Sequence, residues 1–411
     1  MTSIEELRQQ HEELRGQGLK LDLTRGKPSP EQLDLSNALL TLPGEGDFRG
    51  ADGTDLRNYG GPDGLEELRS IFGELLHIPT AQLLALEAVT LPIMHGTIVN
   101  ALLNGRPGGD GPWRDVKDVT FLCPVPGYDR HFTICEALGI RMIPVPFVDG
   151  GLDLVTIKRL VASDASIRGL WAVPTYANPT GYSFTEAEVK ALVEMPSAAP
   201  DFTLMWDNAY AVHHLTDDEL PVIDVLELAA AAGHPDRPIV FASTSKITFA
   251  GGGVGFVGGS PATVAWVREY SSARNIGPDK INQLRHVRFL KDAEGVLEHM
   301  RENRALIVPK FDAVLEILDA RLAGAAEWTR PKGGYFISLE VGEGCATRAV
   351  ALAKEAGIAV TAAGAPYPYG DDPRDSTIRI APTFPSLADV RAAIDGLCTC
   401  ILLAQAEHAA A

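Results

Sequence analysis

From about residue 88 the chain alternates short apolar runs with stretches of helical periodicity. The runs are Ala88–Pro92, Val119–Pro124, Arg141–Val145, Gly169–Pro174, Phe202–Asp207, Ile239–Ser243 and Val254–Gly258. Several lack polar alternation, as strands buried on both faces of a parallel sheet do. Helical spacing over Thr97–Asn104, Thr185–Glu194 and Val222–Ala232 fills the gaps, so βαβ units and a doubly wound α/β fold are predicted. In such sheets ligands bind beyond the C-terminal ends of the strands. Polar residues gather there: His95, Gly96, Thr97, Gly127, Tyr128, Asn178, Asp207 and Lys246 each follow an apolar run.

The flanks read differently. Ser3–Glu6 has the form of a capping box, and Ile4, Leu7 and Leu14 continue it as an amphipathic helix. Two prolines and a glycine keep Leu21–Pro30 extended. Residues 41–64 are turn-rich and lead into a helix over Leu65–Leu76. After Asn303 the expected order is helix (Val308–Leu322), strand (Gly334–Glu340), helix (Ala346–Ala356), strand (Thr377–Pro382) and a last helix from Ser386, an α+β pattern. The N-terminal segment is too short for a core of its own and is expected to pack with that C-terminal part. The expected partition is a large domain, 50–303, and a small one formed by 1–49 with 304–411.

Composition narrows the functions. With 411 residues, 45% hydrophobic and 22% charged, the chain can bury large cores. A formal net charge of -18 leaves no basic footprint for nucleic acid. The five cysteines are scattered, and with the histidines they form no metal-ligand spacing, so reduced thiols and no metal site are expected. The His213–His214 pair reads as ordinary polar structure. No apolar leader or 18-residue apolar run occurs, so neither secretion nor a membrane span is expected, and the cytoplasm is the default location.

The stretch 241–256 carries the sharpest chemical signal: an apolar run ends in Ser243, Thr244 and Ser245, then Lys246, then glycines. Lys246 is either a surface lysine before a flexible hairpin or a nucleophile whose neighbours lower its pKa, beside a backbone that can approach a ligand closely. Asn178, in Pro174–Gly181, is either a turn former or an amide donor at the sheet edge. Asp207 ends a run that should be buried, where a carboxylate is costly unless paired; it is either a helix N-cap or the partner of a heteroaromatic nitrogen. Finding an acid, an amide and a lysine after three strands of one sheet is much rarer than finding any one of them.

Asn178–Gly181 (Asn-Pro-Thr-Gly), Asp207 with Tyr210, and Ser243–Lys246 followed by glycines resemble the fold-type I, pyridoxal phosphate-dependent aminotransferases of class I. The likeness is ordered along most of the chain and takes in Asn58–Gly64, Pro126–Arg130, Gly333–Phe336 and Ile378–Pro382. Residues 123–132, 206–213 and 243–248 are similar to a bacterial aspartate aminotransferase subgroup, sometimes labelled MocR-like after regulators that carry an aminotransferase-like domain. The resemblance implies a large domain with a mainly parallel seven-stranded sheet plus a smaller α+β domain. It also implies a cytoplasmic homodimer with shared active sites, pyridoxal 5′-phosphate as cofactor, and amino acids and 2-oxo acids as substrates.

It further implies roles, residue by residue. Lys246 forms the Schiff base and then moves the substrate proton. Asp207 keeps the pyridine nitrogen protonated. Asn178 and Tyr210 donate to the ring's phenolic oxygen. Tyr128 stacks on the ring. Gly96 and Thr97, read as opening a helix, offer N–H groups to the phosphate, with hydroxyls from Ser243 and Ser245 and with Tyr59 from a second subunit. Arg379 takes the α-carboxylate, over which Gly26 closes, near Asn178. The sequence departs from the family where an arginine for the phosphate is expected, because Gly252–Gly255 stand there; Arg274 and Lys280 are alternative cations. Arg25, Lys27 and Arg130 are candidates for a substrate's second carboxylate. The expected reaction is aspartate:2-oxoglutarate transamination. Another amino donor, or β-elimination or decarboxylation on the same cofactor, is the alternative.

Overall fold

The computed structural model describes residues 3–410. In chain order the strands are β1 (Leu21–Asp22), β2 (Leu83–Ala85), β3 (Thr120–Val125), β4 (Arg141–Val148), β5 (Gly151–Leu152), β6 (Ile167–Ala172), β7 (Thr203–Asp207), β8 (Pro238–Ser243), β9 (Gly255–Gly258), β10 (Glu327–Trp328), β11 (Ile337–Glu340), β12 (Ile358–Ala359) and β13 (Thr377–Ile380). The large sheet has the order β2-β9-β8-β7-β6-β3-β4-β5. β8, β7, β6, β3 and β4 run parallel, whereas β9 is antiparallel to both its neighbours. Seven strands make the mainly parallel sheet, and the eighth, β5, is a two-residue hairpin return on the edge strand β4.

Burial follows the sequence pattern. Every residue of β6 and β7 is buried, while β4 at the edge alternates. One core lies between the sheet and the helices Glu66–Leu76, Leu154–Ser163, Glu186–Glu194 and Lys280–Leu290. Another lies on the opposite face under the helices Thr90–Asn104, Asp129–Ala137 and Pro261–Ser272. A third joins Leu7, Leu14 and Leu23 to residues of the C-terminal region such as Leu352, Ile394 and Leu397. There the capping box of Ser3 and Glu6 starts the helix Ile4–Gly16, and β1 pairs in parallel with β12. β10, β11 and β13 form a small antiparallel sheet.

Two sequence expectations need correction. The run Ala88–Pro92 is no strand: β2 ends at Ala85 and a helix already begins at Thr90. Pro92 is tolerated there because first-turn N–H groups have no intrahelical acceptor to lose, and a short apolar run does not by itself separate strand from buried helix. The helix expected over Val308–Leu322 begins earlier, at Ala293, and runs as one continuous 30-residue helix, Ala293–Leu322. Its first half gives Val296 and Met300 to the large sheet's core, and its second half gives Ile307, Phe311, Val314 and Leu318 to the third core.

Candidate active site

Four loops leave the C-terminal ends of neighbouring parallel strands and meet the strand β13, which carries Arg379. After β3 comes Tyr128, after β6 Asn178, at the end of β7 Asp207 with Tyr210 beyond it, and after β8 Lys246. With Thr24–Lys27, Phe336 and Arg379, these loops surround a cavity of about 550 Å³ lined by Tyr128, Asn178, Tyr210 and Lys246. Asn178, Asp207, Tyr210 and Arg379 are all buried. Lys246 Nζ lies 4.8 Å from the centre of the Tyr210 ring.

Asp207 is not a helix cap. One carboxylate oxygen, Oδ2, accepts from His131 Nε2 at 2.9 Å, and the other, Oδ1, is buried with no partner among the described residues. A buried carboxylate with a spare acceptor is costly unless something completes it. His131, three residues after Tyr128 on the helix Asp129–Ala137, was not singled out in the sequence; its ring stacks on Trp171 at 4.0 Å and meets Tyr128 edge-on at 4.9 Å. The helical i, i+3 spacing from Tyr128 was the available signal. Burial pushes the Tyr128 phenol up to about 12. Burial, and then the charge of Asp207, raises that of Tyr210 as well. Both are donors at neutral pH.

Arg379 Nη1 donates to Asn178 Oδ1 at 3.3 Å. Because a guanidinium only donates, this contact turns the amide oxygen toward the arginine and leaves the Asn178 NH2 free to donate elsewhere. Gly26 lies flat against Phe336, where any Cβ would collide with the ring.

The elements expected to face a phosphate are placed differently from expectation. Gly96 and Thr97 sit in the second turn of the helix Thr90–Asn104, both buried, with Thr97 Oγ1 donating to the Ile93 carbonyl. They do not open the helix, so their N–H groups are not free ends. The free N–H groups belong to the turn beginning at Thr90, which has no side-chain cap. A Cβ on Gly253 would lie 3.1 Å from Ala88 O and 3.3 Å from Ser245 Cα, so this glycine lets the Lys246 loop pack against the entry to that helix. Ser245 Oγ, buried there, has no partner. Ser243 Oγ accepts from the Ser245 N–H at 3.4 Å.

Neither alternative cation lines the cavity. Arg274 pairs with Glu87 at 3.3 Å, and Lys280 Nζ donates to the carbonyls of Asn58 (2.8 Å) and Gly60 (2.5 Å). Lys280 thus braces the loop that carries Tyr59, which is 82% exposed. Arg25, Lys27 and Arg130 do line the cavity, all with exposed side chains.

The Lys246 loop rests on a buried polar network that sequence reasoning missed. Tyr335 donates to the Lys246 carbonyl at 3.3 Å and accepts from Gln32 Nε2 at 3.0 Å, and His299 donates to the Ile247 carbonyl at 2.8 Å. His286 Nε2 lies 3.2 Å from Thr244 Oγ1 and 2.9 Å from Thr248 Oγ1. These partners come from distant parts of the chain, and no local pattern announces them.

The residues present suit pyridoxal 5′-phosphate: an orphan carboxylate oxygen for a ring nitrogen, two donors for a ring oxygen, an uncapped helix start with an unpartnered serine for a phosphate, and a lysine among them. Among the described residues no group of His, Cys, Asp and Glu could hold a metal ion, and no helix is long and apolar enough to cross a membrane.

A family model described as aspartate amino-transferase matches residues 2–411. The chain is 58% identical over 399 residues to a Mycolicibacterium smegmatis protein whose name proposes an aminotransferase, covering 96% of this chain and 93% of that protein. It is 50% identical over 406 residues to the aspartate aminotransferase of Corynebacterium glutamicum, covering 98% and 94%. The crystal structure of an aspartate transaminase from that organism superposes with a TM-score of 0.96 at 50% identity, over 98% of this chain and 96% of the other.

Proposed function

The chain belongs to the aspartate amino-transferase family and is an aminotransferase, and from that premise we propose that it moves the amino group of aspartate to 2-oxoglutarate using pyridoxal 5′-phosphate. When bound, the cofactor supplies an aldehyde that takes up the amino group and a pyridinium ring that withdraws electrons from the carbon losing its proton. The protein supplies position and charge. On this reading Asp207 Oδ1 would accept from the protonated ring nitrogen, while His131 holds the other oxygen of the carboxylate. Asn178 Nδ2 and the Tyr210 hydroxyl would serve as donors to the ring oxygen, and Tyr128 would pack against the ring. Lys246 Nζ is the amine that holds the cofactor and the base that carries the proton. Arg379 receives the α-carboxylate, with Gly26 closing beside it.

The uncapped N-terminus at Thr90 with Ser243 and Ser245 would hold the phosphate, in a chain where Gly252–Gly255 stand in the region of the family's arginine. Tyr59 points into solvent from a braced loop, which suits delivery to a second copy's phosphate in a homodimer with shared sites. The division into 50–303 and 1–49 with 304–411 is proposed on the separate cores that Ala293–Leu322 bridges. Work in the cytoplasm suits five buried free thiols.

The observation that carries the proposal is the convergence of Lys246, Tyr210, Asn178 and Arg379 on one cavity, with an unpaired Asp207 oxygen at the end of the adjoining strand. The test is a panel of amino donors with 2-oxoglutarate and detection of the oxo-acid product. Aspartate should lead, and the purified protein should absorb in the near-visible. If Lys246→Ala left that band and the activity unchanged, the assignment of Lys246 would be wrong.

A further inference from the structure

We infer that Asp129 is a resident competitor for the carboxylate that Arg379 receives, and that it sets how tightly the enzyme holds its acids. The inference rests on the reading of Arg379 given above. The cavity lining contains five cationic side chains, Arg25, Lys27, Arg130, Lys246 and Arg379, and a single acid, Asp129. That acid sits on the most buried of these five cationic residues: Asp129 Oδ1 is 3.3 Å from Arg379 Nη1, with side-chain exposures of 34% and 7%.

The contact is loose and one-sided. The remaining hydrogen bonds of the guanidinium go to Thr361 Oγ1 (3.3 and 3.2 Å), Asn178 Oδ1 (3.3 Å) and the Thr24 carbonyl (3.4 Å), and its carbon lies 5.0 Å from the centre of the Phe336 ring. Charge-assisted bonds to arginine run nearer about 2.8 Å and are often bidentate. Asp129 therefore balances the charge of Arg379 without occupying the fork. An incoming carboxylate that engages two N–H groups outcompetes it, yet must first displace the contact and overcome the repulsion of a like charge. Once displaced, Asp129 keeps a favourable place: it is half-exposed and lies in the first turn of the helix Asp129–Ala137, which has no side-chain cap.

Asp129 is thus an affinity-setting residue that weakens binding of carboxylates while keeping a buried arginine paired in the free enzyme. The test uses cofactor-loaded enzyme and succinate, a dicarboxylate that cannot transaminate. Calorimetric Kd should tighten about five-fold or more in Asp129→Asn, about 1 kcal/mol, and KM for aspartate and for 2-oxoglutarate should fall in the same direction. Asp129→Ser should act alike, and Asp129→Glu should return binding toward the wild-type value. Unchanged or weaker succinate binding in both uncharged variants would overturn the inference, since Asp129 would then be orienting Arg379 for substrate. Arg379→Leu separates the two readings. If succinate binding survives in that variant, the carboxylate role of Arg379 has failed; if it is lost while Asp129→Asn fails to tighten, only the competitor has failed.

Discussion

Replacing His131 by phenylalanine isolates one hydrogen bond beneath the site. His131 and Asp207 have side chains 2% and 4% exposed and meet at 2.9 Å. Phenylalanine keeps the stack on Trp171 but removes the donor, and Asp207 Oδ1 is already unpaired, so the variant leaves a buried carboxylate with neither oxygen satisfied. Removing one partner of a buried pair costs about 3–5 kcal/mol. The lower figure applies here, because the ring stack survives. With an unfolding entropy of about 2.1 cal/mol/K per residue, a loss of about 3 kcal/mol lowers the melting temperature of a chain this long by about 3–4 °C if it unfolds as one unit. The assay is a thermal melt of His131→Phe, Asp207→Asn and the double variant, each stripped of cofactor. The double variant should be less destabilised than His131→Phe alone, with a coupling of about 1.5–3 kcal/mol, because an unpaired amide costs less than an unpaired carboxylate. A shift below about 1 °C, or strict additivity, would refute the account of Asp207 as a charge held ready by His131.

Three further outcomes are expected. Burial, and then Lys246, holds His213 down to about 3 from its ordinary 6.5, and neither of its ring nitrogens has a partner. Stability from this group is full above pH 6.5 and falls as pH drops toward 3, by about 1.4 kcal/mol per unit, because the unfolded chain binds a proton that the folded chain refuses. Melts at pH 5 and 7.5 should show a flatter dependence for His213→Phe, and equal slopes would count against this. Tyr335→Phe, which breaks the link from Gln32 to the Lys246 carbonyl, should cost about 1–2 kcal/mol and speed cofactor loss on dialysis; wild-type retention would show that the link does not steady Lys246. Gly26→Ala drives a methyl into Phe336 and should raise KM for both acids about ten-fold or more while lowering the melting temperature by only about 1–3 °C; an unaltered KM would remove Gly26 from the substrate site.

Much of the fold was legible because unalternating apolar runs and helical spacing are local consequences of burial. β3, β6, β7 and β8 stand within a few residues of the runs that predicted them. The same logic failed at Ala88–Pro92, where four or five apolar residues suit a strand or the first turn of a buried helix equally well. That one boundary moved the start of the helix, with its free N–H groups, from Gly96 to Thr90. Lys246, Asn178, Asp207 and Tyr210 were readable because each follows a buried strand with a residue whose chemistry is costly there.

What the sequence by itself determined was the set of parts: the strand-end residues, the extended loop at Gly26, and an arginine in a buried strand. Tertiary structure alone decided their pairing. His131 reaches Asp207 across 76 positions, Asp129 reaches Arg379 across 250, and Gln32 reaches Tyr335 across 303. Such contacts depend on how sheet, helices and the small antiparallel sheet pack together, and a single chain's local pattern carries no record of that distance. The glycines after Lys246 show the same division: their number was plain in the sequence, but only packing gives Gly253 its place between the lysine loop and the helix start at Thr90.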